Sequence, residues 1–245
     1  MNAWIQMSRL ELRLLLREPL ATFFTLAFPL LLLLVFGGIF GNEPIERLGG
    51  LGAMDLSVPG YIAMVIGTAA LISLPVTLAS YRERGVLRRF RATPLPPMTI
   101  LAAHLVVQLT ITLLGTLLLV AVGALLFRLR MPVAPLALVG AVLLSSLSFF
   151  AAGCALAAVA PSARAAQTIG MAIFFPMLFL SGAAMPRAVM PEHIQRIGDF
   201  LPLTYVTTLL SDLWFGAGLN LLALAVLGAT ALLGLALAAR TFRWE

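Results

Sequence analysis

An all-α membrane bundle of six transmembrane helices is the fold class this sequence predicts, and three observations carry that reading. Hydrophobic residues make up 61% of the 245 positions and charged residues only 11%, giving a mean hydropathy of +1.05, more apolar surface than a soluble domain of this size can bury. Six apolar runs recur along the chain, each of about 20 residues, the length that some 30 Å of hydrocarbon requires of a helix. The runs do not alternate polar and apolar residues as membrane β-barrel strands do, and their Leu, Ala and Gly content suits packed helices. The chain therefore reads as a single transmembrane domain over residues 1–245.

In order, residues 1–20 come first. Gln6, Arg9, Arg13 and Arg17 recur at helical spacing on one face, while Trp4, Ile5, Leu12, Leu15 and Leu16 lie largely elsewhere. Such a helix is expected to lie in the membrane interface with its arginines near anionic headgroups. The spans are expected near 21–40, 61–79, 100–127, 136–159, 165–184 and 219–239. The first is too long for a signal peptide and shows no small-residue cleavage pattern at Phe36 to Phe40, so it reads as a retained span. Gly37 and Gly41 have the spacing of close helix contacts. Pro29, Pro75 and Pro176 interrupt three different spans, each removing a backbone donor and permitting a kink.

Orientation follows from the arginines, because positive charge beside spans is retained on the cytoplasmic side. With the N-terminus inside, Arg9, Arg13, Arg17, Arg82, Arg84, Arg88, Arg89, Arg91, Arg164, Arg240 and Arg243 are cytoplasmic, against Arg47, Arg128, Arg130, Arg187 and Arg196 outside. Both termini are thus expected in the cytoplasm. The net charge of +6 reports this bias rather than a nucleic-acid partner.

Absences narrow the function. All sixteen basic residues are arginine, so the chain cannot carry a G-x-x-x-x-G-K-[ST] phosphate loop, and ATP-driven work must come from a partner. The spans as placed contain no Asp, Glu or Arg, which argues against a proton-driven carrier and weakens an intramembrane enzyme. His104, one turn before Gln108 in the third span, reads as an interhelical hydrogen-bonding residue, and His193 as a residue of the last outer loop. No metal-ligand spacing occurs, and the lone Cys154 reads as a small packing residue.

The segment Tyr81 to Pro97, YRERGVLRRFRATPLPP, carries the strongest signal. As a helix it places Glu83, Val86, Leu87 and Phe90 within one arc of about 100° and spreads Arg82, Arg84, Arg88, Arg89 and Arg91 over the opposite half, with Gly85 among them. Gly85 leaves backbone bare for a close approach, and Pro94, Pro96 and Pro97 end the helix before the third span. A mere topology marker needs charge alone; glycine, apolar arc and proline stop together suit a docking element.

Four segments in order resemble the membrane subunit of ABC-2 type ABC transporters, in particular the short single-domain permeases of bacterial drug and glycolipid export. They are ELRLLLREP (Glu11 to Pro19), VPGYIAM (Val58 to Met64), RERGVLRRFRATPL (Arg82 to Leu95) and MPEHIQRIGDFLPLTYV (Met190 to Val206). The resemblance implies that Arg82, Glu83, Arg84, Gly85, Val86, Leu87, Arg88, Arg89, Phe90 and Arg91 form the coupling helix that rests on an ATP-binding cassette subunit. It implies two permease copies, identical or paired with a second permease, with two ATPase subunits that bind ATP and Mg, this chain holding no cofactor itself. The outer region 186–218, with Pro191, Asp199, Pro202 and Tyr205, resembles the family's re-entrant exit helices. Phe149, Phe174, Phe175 and Phe179 are candidates to line a path for a hydrophobic or amphipathic substrate, drug-like, lipid or glycolipid. The implied location is the bacterial cytoplasmic membrane, among lipids. A polysaccharide-exporting permease of the same superfamily and a non-transporting scaffold recruiting a soluble partner are the alternatives.

Overall fold

The computed structural model describes residues 23–46, 49–85 and 97–241, with the side chains of 97–100 and 241 excluded. These residues are helical apart from short connections and one isolated bridge between Ile45 and Leu51, and six of the helices are long and apolar enough to cross a membrane. The expected all-α class with six spans is borne out. The spans are α1 (Phe23–Phe40), α2 (Ala53–Glu83), α3 (Pro97–Phe127), α4 (Pro135–Val159) and α5 (Ala163–Leu180). After a short turn at Arg187–Val189 come α6 (Glu192–Gly198) and α7 (Pro202–Phe215), and the last span is α8 (Leu221–Thr241). The amphipathic segment 1–20 lies outside the described residues.

The second helix is the axis. It runs from Ala53 to Glu83, well beyond the apolar run 61–79 at both ends, because Asp55 at one end and Arg82 and Glu83 at the other find partners that let a charged turn continue the helix. Of its apolar stretch, 89% is enclosed by other helices, against 17% of that of α8. Leu117 on α3, Leu125 beside it, Leu136 on α4 and Leu221 and Leu232 on α8 face outward, a surface that hydrocarbon accommodates and water does not. The burial pattern thus puts one helix in the middle and lets its neighbours meet lipid.

Proline shapes two spans in the same register. A five-residue π-turn, Phe23–Ala27, precedes Pro29 in α1, and another, Ala69–Ser73, precedes Pro75 in α2, each ending two residues before the proline. Proline has no N–H, so Pro75 offers nothing to the carbonyl of Leu71 in α register or of Ala70 in π register. Widening the turn lets the Leu74 N–H reach back to Ala69 O instead. Pro176 behaves differently, sitting inside an unbroken α5.

Neighbouring helices close on this exposed backbone. A Cβ on Gly153 of α4 would overlap Ala70 O, and one on Gly170 of α5 would overlap Leu71 O, so the two carbonyls that Pro75 cannot serve are met by bare glycine backbone. From α3, Gln108 Nε2 donates to Ala69 O at 3.1 Å, and Ser73 Oγ approaches Gln108 Oε1 at 3.5 Å. Three helices therefore converge on one turn of α2. Gly37 and Gly41 divide their roles: the first packs under the Phe127 ring, while the second caps α1 with its N–H on Gly37 O.

Replacing Gly153 or Gly170 by Val is expected to drive side-chain atoms into carbonyl oxygens and to cost roughly 1–3 kcal/mol, read as a lower thermal unfolding midpoint of the detergent-solubilised chain. Gly140→Ala and Gly228→Ala, where a Cβ meets nothing within 4 Å, are expected to leave the midpoint in place.

Candidate functional site

At one end of the bundle a carboxylate ties four elements together. Asp55, 2% exposed on the first turn of α2, accepts from Gly52 N at 3.1 Å through one oxygen. Its other oxygen accepts from Asn42 Nδ2 at 3.1 Å and from Arg130 N at 2.9 Å. Asn42 completes the joint, its Oδ1 accepting from Met54 N and Asp55 N and its Nδ2 donating also to Phe127 O. Arg130 O in turn accepts from Trp214 Nε1 at the end of α7. The helix of the second span begins at Ala53, ahead of the run placed at 61–79, so Asp55 lies on its first turn, where its acid serves the helix N-terminus as an acceptor at the positive end of the dipole.

Around that end, α6 packs against α5, and α7 packs against α2, α4 and α8. Pro191 precedes α6, Asp199 caps it, and Pro202 stands in the first turn of α7. Tyr205 OH donates to Asp199 O at 2.9 Å, and Asp199 pairs with Arg187 at 2.6 Å. Pro191, Asp199, Pro202 and Tyr205 thus lie along the segment that leads through α6 into α7. The inner face of α7 is apolar, with Leu203, Val206, Leu209 and Leu213 buried, and Thr207 Oγ1 donates to Ser181 O at 2.8 Å. Between α2 and α7 lies a cavity of about 310 Å³ whose lining includes Gly60, Thr207, Thr208, Ser211 and Asp212.

The opposite end holds the residues expected to couple the chain to a partner. Of the ten, Arg82, Glu83, Arg84 and Gly85 are described, and Val86, Leu87, Arg88, Arg89, Phe90 and Arg91 lie outside the described residues. Arg82 and Glu83 both make hydrogen bonds within the bundle. Arg82 donates to the carbonyls of Ala157 and Ala158 at 3.2 and 3.4 Å and also to that of Ala160, at the C-terminal end of α4. Glu83 Oε1 accepts from Ala163 N at 3.2 Å, at the first turn of α5. Arg84 is exposed, and α2 stops there: Gly85 has φ +63°, a left-handed turn that a side chain strains.

The aromatic residues proposed for a substrate path separate. Phe149 and Phe174 are 1% and 0% exposed and belong to the core, Phe174 lying against Gly67 of α2. Phe175 is partly buried and meets Phe24 of α1 edge-on, while Phe179 is 61% exposed. His104 is buried beside Tyr81 in an edge-on ring contact, and Gln108, one turn on, makes the interhelical bond. Cys154 is buried. Among the described residues no cluster of His, Cys, Asp and Glu has the arrangement of a metal site.

Comparison with protein families matches residues 2–215 to the ABC-2 type transporter model. The chain belongs to the ABC-2 type transporter family. The match runs to the end of α7 and spans most of the chain, so this is a transporter permease and a multi-pass membrane protein. A comparison with curated proteins found no match. What sequence reasoning missed in the permease is the Asn42–Asp55 joint and the π-turn of α2. The first had a local signal, Gly52 three residues before Asp55, the spacing of a helix cap; the second had Pro75.

Asp55→Ala strands the Gly52, Asn42 and Arg130 donors and is expected to destabilise the permease by roughly 2–4 kcal/mol. Thermal unfolding measures the loss, and faster amide hydrogen exchange at Gly52 and Arg130 locates it.

Proposed function

We propose that this permease is the membrane subunit of an ATP-driven exporter in the bacterial cytoplasmic membrane. It works as a pair of permease copies with two ATPase subunits, which bind ATP and Mg, and moves a hydrophobic or amphipathic compound outward. The arginine bias orients the Arg82 end toward the cytoplasm and the Asp55 end outward. One observation carries the reading: the most enclosed helix of the bundle leaves it at Glu83 and continues, after the turn at Gly85, into VLRRFR. Force applied to that segment enters α2 directly, and through α2 every helix packed on it.

Membership of the ABC-2 family supports the partner class, and the absence of lysine in the chain supports a separate source of ATP hydrolysis. Val86, Leu87 and Phe90 supply the apolar arc for the ATPase contact, and the arginines of the segment flank it. At the outer end the cavity between α2 and α7 mixes apolar residues, Leu56 and Phe215, with hydroxyls and the charged Arg187 and Asp212, a lining that suits release of an amphipathic molecule.

Purified alone, the permease is expected to hydrolyse no ATP; isolated with its partner, it should bring down a subunit carrying a phosphate-binding lysine loop, identified by mass spectrometry, and the complex should hydrolyse ATP. Val86→Asp with Phe90→Asp should weaken that association at least tenfold, about 1.4 kcal/mol, in a chain that still inserts. Association unchanged by the double substitution would remove the coupling role from this segment, and an isolated permease that hydrolysed ATP would remove the division of labour.

A further inference from the structure

We infer that Arg82 and Glu83 form a transmission clamp, which locks the cytoplasmic end of α2 to the α4–α5 turn so that the three helix ends move as one body. The inference rests on the exporter reading and reassigns these two residues within it: they act inside the permease, as positioning residues, rather than on the ATPase surface.

The geometry is that of a two-sided cap. The last carbonyls of α4 have no intrahelical partner, and Arg82 donates to three of them, those of Ala157, Ala158 and Ala160. The first amides of α5 are orphaned in the same way, and Glu83 Oε1 takes Ala163 N at 3.2 Å while Ser162 Oγ takes Ala165 N at 3.0 Å. The cation therefore meets a helix C-terminus and the anion a helix N-terminus, each at the favourable end of the dipole. Consecutive residues of a helix point about 100° apart, which lets one dipeptide reach both ends of the short Ala160–Ser162 connection. Reversing the order of the two charges would place each at the wrong pole.

Packing beneath the clamp agrees with it. Ala79 of α2, Ala160 of the connection and Ala166 of α5 form a cluster of small buried side chains, with Val76 and Ala163 against them. Small residues hold the three backbones close, so the hydrogen bonds above have little slack. Directly beyond Glu83 the chain turns at Gly85, and the arginine-rich segment begins past the last clamped residue. A pull on that segment reaches α4 and α5 at their ends through the clamp. The same two helices touch α2 again at mid-span, through Gly153 and Gly170 on the carbonyls of Ala70 and Leu71. Two contacts along one lever tie α2, α4 and α5 into one unit.

The test uses spin labels at the exposed positions Arg84, just past the clamp on α2, and Arg164, in the first turn of α5, in the permease alone and in its complex with the ATPase, by pulsed electron resonance. With native Arg82 and Glu83 the pair should give one narrow distance distribution, unchanged by ATP with vanadate. In Arg82→Ala with Glu83→Ala the distribution should broaden and become nucleotide-sensitive, while ATPase binding stays within twofold; Arg82→Lys with Glu83→Gln, which keeps a donor and an acceptor, should restore the narrow distribution. A native pair that separates on ATP, a double-alanine variant that stays narrow, or one that loses ATPase binding more than tenfold overturns the clamp. If no ATPase binds the native chain at all, the exporter reading fails by itself, and the distribution in the permease alone still decides the clamp.

Discussion

A missing N–H governs the centre of this bundle. Pro75 sits in the one helix that other helices almost entirely enclose, where no water reaches a stranded carbonyl and each unsatisfied backbone group costs several kcal/mol. The π-turn passes the deficit to Ala70 and Leu71, Gly153 and Gly170 bring bare backbone against those two oxygens, and Gln108 takes the neighbouring carbonyl of Ala69. The positions of α3, α4 and α5 around α2 follow from that repair. A larger residue at either glycine would push its helix off the turn that gives it a place.

The two ends of α2 solve a related problem by charge. Helix termini carry orphan amides and carbonyls that a membrane protein must cap at the border of the hydrocarbon. Asp55 caps its own helix and also holds the chain after α3, while Arg82 and Glu83 cap the ends of two other helices. The central helix is therefore fastened at both ends and at its middle, by groups contributed from four neighbouring elements. An isolated helix would slide or tilt without moving the others; one fastened in this way carries its neighbours with it.

Much of the architecture was legible because the bilayer imposes a coarse code. Length and apolarity alone marked six spans. Where the reading fell short, the charge pattern misled it. Arg82 and Glu83 were grouped with the arginine-rich docking segment because the five arginines were counted together, yet both lie on the last turn of α2 and bond to residues 75 to 80 positions away in sequence. Burial was equally illegible among the aromatic residues: Phe149 and Phe174 lie in the core, while Phe179 on the same helix as Phe174 is exposed.

Composition and order by themselves determined that the chain is a helical membrane protein, that it lacks the lysine of a phosphate loop, and that its densest positive charge follows the second span. Those properties depend on transfer free energies and on chemistry that single residues either possess or lack. Only the tertiary structure decided that the second span is the axis, that an acid is buried at its start, that Pro75 is answered by two glycines and a glutamine, and that Arg82 and Glu83 bond to the facing ends of α4 and α5. Each of these is a pairing between residues far apart in the chain, chosen by which backbone groups would otherwise be left bare in a medium without water.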